Sequence, residues 1–484
     1  MATFFISLYL LLNYILFFLM STNYNQSNKQ SILDYASKLV DKSLKDVLDI
    51  NSIDNFYGGK GSFGQFVEEY YFGYKINSVS EPDFKEVGLE LKCSPLKEIK
   101  NGDIRAKERL VLNIINYMNV VQEDFESSSF WNKNANLLLI FYLYEKEKLP
   151  FEYIIKLVNE WKFDNQDLEI IKNDWYTIVN KIKEGKAHEL SEGDTFYLGA
   201  CTKGANANSV REQPFSTIPA KQRAFSFKTG YVNHIIASIA GNKKGFGKLL
   251  HNTKELEEQT LENYILNKFD KYKNQAVSNI INSLGIVINT NSKGFTASFT
   301  NALLGIELDQ KIEEFEKAEL IVKTVRLKEN NLPKEDISFP TFKYTDIVNE
   351  VWDDSDFKDI LEHKFLFIFL KYKGDELYFE KAQFWNMNYE HRLEAKRVWE
   401  NTKEIIANGE IVKGFKTNKN GEIRRETNFP SKKDSVIAHV RPHAQNADDT
   451  YPLPIPDQYS GYTEYTKHCF WLNASYVRDE IYFK

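Results

Sequence analysis

The chain has 484 residues, of which 42% are hydrophobic and 27% are charged, and its formal net charge is −6. This length exceeds a single ordinary core, so we expect two or three domains. This negative charge excludes a uniformly basic nucleic-acid binder. A DNA enzyme with this charge would need its lysines and arginines gathered locally in a cleft. Cys93, Cys201 and Cys469 lie far apart without CxxC spacing. This pattern argues against a disulfide framework or a zinc site and indicates a reducing compartment, the cytoplasm.

The N-terminal segment Phe4–Met20 is uncharged and strongly apolar. It is slightly short for a membrane span and lacks the basic residues that begin a signal peptide. Three interpretations are open: a membrane anchor, an uncleaved signal, or a start codon assigned too far upstream, with Met20 as the true start. We favour the third interpretation and expect residues 1–30 to be an extension outside the native protein.

A small group of ionisable residues lies between positions 68 and 92. Gly61–Phe72 has the apolar spacing of an amphipathic helix, with Glu68 at the border of its apolar stripe. Asp83, Glu90 and Lys92 then have the spacing D-x6-E-x-K. Leucines alternate with Glu90 and Lys92, which predicts a strand on which these two side chains share a face.

This group of residues is typical of metal-assisted phosphodiester hydrolysis. Carboxylate oxygens are the hard ligands that magnesium prefers, and a bound metal lowers the pKa of water. A lysine beside the metal can orient the nucleophile and offset charge on the phosphate. A solvated strand face carries the same alternation of glutamate and lysine, so the spacing alone is weak support.

The next elements are predicted from periodicity. Ala106–Val121 mixes helical spacing with β-branched residues, and we predict a helix there. Phe130–Tyr144 ends in an apolar run that predicts a buried central strand. Ile170–Gly185 is predicted to be a helix that ends at its glycine. His188–Asn208 is rich in small and polar residues, which predicts a loop that approaches DNA closely.

The segment Gly61–Pro95, with Glu108–Tyr117 after it, resembles the MutH mismatch-repair nicking endonucleases. It also resembles the longer type II restriction endonucleases that carry a MutH-like domain, and that resemblance extends from about Ser31 over nearly the whole chain. The resemblance implies an α/β fold of the PD-(D/E)xK restriction-endonuclease type. It also implies Mg²⁺-dependent cleavage of double-stranded DNA at 5′-GATC.

The resemblance assigns catalytic roles in the first half. Glu68, Asp83 and Glu90 would hold Mg²⁺, and Lys92 would act at the nucleophile. Lys133 is the nearest candidate for a second catalytic lysine of the family, and an ordinary surface lysine is an equally open interpretation.

The resemblance and the local composition also assign DNA contacts. Lys203 matches the family lysine that reads the recognition sequence, and lysine suits the guanine acceptors of the major groove. Lys221, Arg223 and Lys228 are interleaved with phenylalanines and are candidates for phosphate contacts. Ser226 stands where the mismatch-repair relatives have a tyrosine that senses adenine methylation, and this favours the restriction-enzyme form.

The second half repeats the motif of the first half. Glu314 and the segment Leu320–Thr324 repeat the spacing of Asp83 and the strand after it, displaced by 231 positions. Ile321 stands in the position of Glu90, and isoleucine cannot ligate a metal. The preceding predicted helix, residues 294–305, contains no carboxylate. The sequence therefore predicts a degenerate second copy that has the same fold but does not cleave DNA.

A loop in this second copy is similar to the loop around Lys203. It spans His439–Ala447, and Arg441 and His443 are its candidate DNA contacts. An exposed linker is the alternative interpretation of these residues.

The predicted architecture is two tandem MutH-like domains, the second one degenerate. The catalytic domain covers residues 31–242, a charged helical connector covers residues 243–284, and a DNA-binding and regulatory domain covers residues 285–484. Residues 58–60 lack the glycine spacing of a Walker loop, so we expect no nucleotide cofactor.

We predict a type II site-specific endonuclease. A palindromic site needs two cuts while each chain has one active centre, so a homodimer on DNA or two sequential cuts are both open. A cognate DNA methyltransferase would be a functional partner without physical association. The alternatives are a mismatch-repair nicking endonuclease and a non-catalytic DNA-binding protein.

Overall fold

A computed structural model describes residues 24–48, 62–74, 81–100, 102–204, 209–242, 245–290, 292, 294–417, 420–421 and 423–484. The apolar segment Phe4–Met20 lies outside these residues, so the expectations about it stay untested. No helix within the described ranges is long and apolar enough to cross a membrane.

The α-helices are mostly short, and two π-helical segments directly follow α-helices. The α-helices are α1 (Lys29–Ser37), α2 (Leu44–Val47), α3 (Ser62–Phe66), α4 (Tyr117–Val120), α5 (Ser129–Asn134), α6 (Asn165–Lys183), α7 (Thr229–Ile239), α8 (Leu261–Asp270), α9 (Val277–Ser283), α10 (Phe295–Leu304), α11 (Glu313–Ala318), α12 (Tyr344–Ile347), α13 (Asp356–Leu361), α14 (Tyr389–Ala407) and α15 (Ala474–Tyr476). The π-helical segments are Val67–Tyr71 and Val477–Tyr482.

The strands form several small sheets rather than one large sheet. They are β1 (Glu90–Glu98), β2 (Ile104–Ala106), β3 (Leu110–Ile114), β4 (Leu137–Leu143), β5 (Ile155–Trp161), β6 (Leu198–Thr202), β7 (Val210–Gln213), β8 (Ser216–Lys221), β9 (Arg223–Phe227), β10 (Ile321–Leu327), β11 (Ile337–Thr341), β12 (Phe365–Lys373), β13 (Glu376–Trp385), β14 (Val412–Thr417), β15 (Ile423–Thr427), β16 (Ala438–Pro442), β17 (Thr450–Pro452), β18 (Glu464–Thr466) and β19 (His468–Leu472). The chain is therefore a mixed α/β protein, as predicted.

The chain divides into two compact units. The first unit contains Met1–Leu168 and Ala224–Lys244, and its main sheet has the strand order β2-β1-β4-β5. β1 and β4 are parallel, and the two outer strands run antiparallel to them. The first five residues of β4 are fully buried, which confirms the predicted central strand. The predicted helix at Gly61–Phe72 is confirmed as α3 followed by the π-helical segment.

One prediction in this unit is wrong. Ala106–Val121 was expected to be helical, but it contains β3 and only the four-residue helix α4. β3 pairs antiparallel with β9, and the register joins Leu110 to Phe227. The residues of β3 form a strand because they pair with β9, which is distant in the sequence. This tertiary pairing overrides their weak helical spacing.

The second unit contains Glu169–Arg223 and Gly245–Lys484. Its main sheet has the order β10-β12-β13, in which β10 and β12 are parallel and β13 is antiparallel to β12. These are the same relations that join β1, β4 and β5. The register also corresponds, because Glu90 pairs with Leu137 and Ile321 pairs with Phe365, each the first residue of its strand.

The segment Glu169–Arg223 groups with the C-terminal residues, which differs from the predicted boundary at residue 242. Polar contacts explain this grouping. The guanidinium of Arg392 donates to the carbonyl oxygen of Glu189 at 2.7 Å, and the amide of Asn386 donates to Asp194 at 2.9 Å.

The predicted helical connector, residues 243–284, is helical only in part: residues 245–260 are irregular apart from the 3-10 turn Thr253–Leu256. It contains α8 and α9, and it packs on β13 of the second unit, since the Phe269 ring stacks on Phe379 with ring centroids 6.0 Å apart. The segment is therefore part of the second unit's packing.

Candidate active site

The predicted acidic residues meet at the start of β1 in the first unit. Glu90 is the first residue of this strand, and its side chain is only 2% exposed. Both flanking leucines, Leu89 and Leu91, are also buried. Both faces of the strand are therefore covered at this point, and Glu90 does not lie on the solvated face that the alternation alone allowed.

Hydrogen bonds hold Asp83 and Glu90 against each other. The amide of Asp83 donates to Oε2 of Glu90 at 3.1 Å, and the amide of Leu91 donates to Oδ2 of Asp83 at 3.0 Å. Each carboxylate is thus oriented by the backbone of the other segment. These two hydrogen bonds hold the carboxylates in fixed orientations, because a backbone amide bonds strongly to an ionised oxygen.

Two lysines approach the other oxygen of Glu90. Nζ of Lys92 lies 2.6 Å from Oε1 of Glu90, and Nζ of Lys133 lies 3.5 Å from the same atom. The two lysine side chains are 17% and 15% exposed. Lys133 belongs to α5, which begins after Ser128, whose hydroxyl accepts from the backbone amide of Trp131. The structure therefore brings Lys133 to the site, although its sequence register was ambiguous.

Glu68 joins this cluster from the helical side. It lies in the π-helical segment Val67–Tyr71, where the helix widens by one residue per turn, a feature often found at functional sites. Burial, together with the neighbouring charge of Asp83, raises the pKa of Glu68 to about 7 against the lowering influence of Lys92. Burial also raises the pKa of Glu90, against the influence of Lys92.

Two residues of this neighbourhood carried no signal in the sequence. Burial raises the pKa of the Tyr74 hydroxyl, and the charges of Asp83, Glu68 and Glu90 raise it further. Burial and the Glu68 charge also raise the pKa of the Cys93 thiol. Neither residue falls in a recognisable spacing, so only the three-dimensional arrangement reveals them.

The donor chemistry of the cluster fits a divalent cation. Three carboxylates lie close enough that burial and mutual repulsion favour the protonated form of Glu68, and a cation would relieve that cost. Within the described ranges, no group of three or more His, Cys, Asp or Glu residues is placed so that it could hold a metal ion. In this arrangement the lysine ammonium groups supply the positive charge beside Glu90.

The predicted DNA-contact residues have different environments. Lys203 is exposed, and its amide donates to the carbonyl oxygen of Gln222 at 2.8 Å. Lys221 forms an ion pair with Asp353 at 2.6 Å. Arg223 is 6% exposed, and its guanidinium donates to two backbone carbonyl oxygens within the second unit.

The remaining candidates lie in both units. Lys228 is 4% exposed and immediately precedes α7. The predicted loop His439–Ala447 is a loop only after Pro442, because its first four residues belong to β16. Arg441 lies in this strand, with its guanidinium 3.8 Å from the centre of the Trp471 ring, and pairs with Asp336 at 3.1 Å. His443 is exposed and its ring contacts the same tryptophan. The predicted base-reading loop His188–Asn208 contains β6, and residues 205–208 lie outside the described ranges.

An α/β unit in which carboxylates and lysines meet at the start of one strand of a parallel pair is typical of the restriction-type DNA endonucleases. Comparisons with known proteins agree with this class. The family model described as "DNA mismatch repair enzyme MutH" matches residues 72–174. The type II restriction enzyme Sau3AI of Staphylococcus aureus is 38% identical over 486 residues, covering 94% of this chain and 98% of that protein.

Two mismatch-repair relatives match a shorter part of the chain. The DNA mismatch repair protein MutH of Vibrio parahaemolyticus is 27% identical over 189 residues, which cover 38% of this chain and 80% of that protein. The MutH protein of Shewanella woodyi is 26% identical over 190 residues, with 39% and 80% covered. The chain belongs to the MutH-like type II restriction enzymes, and it is a site-specific DNA endonuclease that hydrolyses phosphodiester bonds.

Proposed function

We propose that this enzyme cleaves double-stranded DNA at 5′-GATC with Mg²⁺ held by Glu68, Asp83 and Glu90. The observation that supports this most directly is the buried Glu90 carboxylate, braced by Asp83 and contacted by Lys92 at 2.6 Å. The cytoplasm follows as the compartment, because the substrate is DNA and the three cysteines are free thiols.

The residues of the cluster would divide the chemistry among them. A bound Mg²⁺ would polarise the phosphate and acidify a water ligand. Asp83 and Glu90 would present oxygens in fixed orientations, because backbone amides already hold them. Lys92 would orient the attacking water and offset negative charge that develops on the phosphate, and Lys133 would hold a second positive charge beside Glu90. The products would carry a 5′-phosphate and a 3′-hydroxyl.

Recognition of the GATC sequence rests on the family resemblance. Lys203 would donate to guanine acceptors in the major groove, and its exposed position suits that role. Lys228 stays a candidate for a phosphate contact. Lys221 would need to exchange its partner Asp353 for a phosphate. Arg223 would instead stabilise the fold around its two carbonyl acceptors.

The second unit would have the strand topology of the nuclease but would not catalyse hydrolysis. Ile321 occupies the strand position that corresponds to Glu90, so the central carboxylate is missing. Glu314, which corresponds to Asp83, accepts hydrogen bonds from the amides of Leu249 and Leu250. Its carboxylate therefore has a structural partner, which supports a degenerate, catalytically inactive copy.

This inactive copy would bind a second DNA site and regulate cleavage. Arg441 and His443 would be its contacts, since both are exposed beside Trp471. DNA bound at this copy would promote association of two chains, which would bring two active centres to one palindromic site.

The catalytic assignment is tested by incubating phage DNA with the protein and Mg²⁺ and then sequencing the fragment ends. The native chain should cut both strands at GATC. Asp83→Ala and Lys92→Ala should abolish cleavage and still bind DNA in calcium. Lys85→Ala is a matched control, because this lysine is 71% exposed near the site and pairs only at the surface, with Glu81. A product nicked in one strand would favour the mismatch-repair type of activity, and cleavage by both site variants would refute the assignment.

The regulatory assignment is tested with plasmids that carry one or two GATC sites. The proposal expects faster cleavage of the two-site plasmid and two chains per DNA complex in sedimentation. Equal rates together with a strictly monomeric complex would contradict it.

A further inference from the structure

A two-stranded hairpin in the second unit has no counterpart in the repeated architecture. It consists of β14 and β15, and it lies between α14 and β16. In the first copy of the motif, the corresponding interval lies between α6 and β6. There, residues 184–197 form only two 3-10 turns, Ala187–Glu189 and Glu192–Asp194. The hairpin is therefore an addition to the second copy.

The base of the hairpin is firmly attached to the second unit. The amide of Val412 donates to the buried carboxylate of Asp457 at 3.0 Å. At the other strand, the amide of Asn428 donates to the carbonyl oxygen of Ile411 at 3.0 Å. Val412 and Phe429 are only 2% and 4% exposed. The two strands thus leave the core from a fixed base.

Positive charge is concentrated on this hairpin. Residues 412–427 contain five lysines and arginines and two glutamates, in a chain whose formal net charge is −6. Lys413 and Lys416 are exposed, and the Lys416 side chain is 73% exposed. The ion pair between Lys416 and Glu426 is long, 3.9 Å, and it is exposed to water. The carboxylate of Glu426 therefore offsets the lysine charge only weakly.

Large apolar side chains are exposed between these charges. Ile423 is 73% exposed and Phe415 is 48% exposed, on neighbouring strands of the hairpin. Tyr459, which is 61% exposed, lies next to Phe415, with ring centroids 6.1 Å apart. The guanidinium of Arg425 lies over the Tyr465 ring at 4.5 Å. Exposed apolar residues flanked by basic ones indicate an interaction surface rather than a solvated turn.

We propose that the β14–β15 hairpin is a DNA-contacting arm of the second unit. A two-stranded ribbon fits a DNA groove, and its lysines would lie against the phosphates. Phe415 and Ile423 would contact sugars and base edges, as apolar side chains do when they enter a groove. The inference rests on the proposed DNA binding by the C-terminal copy and names a second element, besides the segment that carries Arg441 and His443, that performs it.

The charge contribution is tested by fluorescence anisotropy with a labelled duplex in calcium, which prevents cleavage. Lys413→Glu with Lys416→Glu should weaken binding about 10-fold near 50 mM salt and reduce the slope of log affinity against log salt by about 2. The matched control is Lys271→Glu with Lys273→Glu, which makes the same charge change at two exposed lysines of the second unit. Equal effects of the two pairs would overturn the proposal.

The apolar contribution has a different signature. Phe415→Ser with Ile423→Ser should weaken binding several-fold without changing the salt slope, because apolar contacts release no counterions. Thermal unfolding checks that this variant folds. If it unfolds, Phe415→Leu alone replaces it and should give a smaller loss of the same kind. A variant that binds DNA like the native chain while its oligomeric state changes would overturn the proposal in favour of a protein contact.

A third variant separates this inference from the proposed function. Arg441→Glu tests the end of β16, which carries the proposed second DNA site. If Arg441→Glu weakens binding and the hairpin variants do not, the hairpin proposal fails and the proposed function stands. If neither variant weakens binding, DNA contact by the C-terminal copy (residues 285–484) fails, whereas the proposed contact of Lys203 and cleavage at the first unit's carboxylates are unaffected.

Discussion

Lys92 and Lys323 occupy corresponding positions in the main sheets of the two units and have opposite environments. Each is the third residue of its strand, paired with Leu139 and Phe367 respectively. Lys92 contacts the buried Glu90 carboxylate at 2.6 Å. Lys323 has no ion pair with any described residue, and burial alone lowers its pKa. Replacing each lysine by methionine, which has a similar length, should therefore affect the two copies differently.

The expected magnitudes follow from these contacts. Breaking a buried ion pair costs about 3 to 5 kcal/mol when the remaining charge is left uncompensated. Glu90 would keep Lys133 at 3.5 Å and the Asp83 amide, so Lys92→Met should cost about 2 kcal/mol. Lys323→Met removes a desolvated charge without breaking a pair, so the local stability should stay the same or rise by about 1 kcal/mol.

Native-state hydrogen exchange is the suitable assay, because a chain with two compact units need not unfold in one step. Lys92→Met should accelerate exchange in β1 about 30-fold, as about 2 kcal/mol requires, and leave β10 unchanged. It should also reduce DNA cleavage at least about 100-fold. Lys323→Met should leave cleavage and β1 exchange unchanged. Equal acceleration by both substitutions, or native cleavage by Lys92→Met, would refute this reasoning.

Three buried polar groups of the second unit give further expected outcomes. Burial lowers the pKa of His468 to about 4, so the neutral imidazole stabilises the fold fully above pH 6.5. The free energy of unfolding should fall by about 3 kcal/mol between pH 6.5 and pH 4. Urea unfolding at several pH values should show a smaller loss for His468→Phe. Asp174→Ala should lower the free energy of unfolding by about 3 kcal/mol, because the carboxylate accepts three backbone amides at 2.6 to 2.9 Å; unchanged thermal unfolding would contradict this. Arg223→Met should lower thermal stability and leave the salt slope of DNA binding unchanged, whereas a slope reduced by about 1 would restore its predicted phosphate contact.

Some features could be predicted because they depend on near neighbours in the chain. The D-x6-E-x-K spacing identifies Asp83, Glu90 and Lys92, and the structure brings these three together. The run at Leu137–Leu143 predicts a central strand, since a strand covered on both faces is apolar throughout. The repeat across 231 positions anticipates that two sheets share strand order and register.

Other features depend on partners that are distant in the chain. The strand β3 is paired with residues more than 100 positions later, so its own spacing misled the prediction of a helix. Lys133 has ambiguous neighbours in the sequence, and only the packing of α5 shows its ammonium 3.5 Å from Glu90. The sequence around Arg223 suggests a phosphate contact. In the structure its guanidinium is buried and donates to backbone carbonyl oxygens instead.

The sequence by itself therefore determined the family, the identity of the candidate catalytic residues and the isoleucine at position 321, where the first half has Glu90. Those properties belong to individual residues and their short spacings. The tertiary structure alone decided the burial of Glu90, the place of Lys133 and the extra hairpin β14–β15. The physical reason is that burial and pKa depend on which segments pack together, and packing of distant segments is decided by the whole chain.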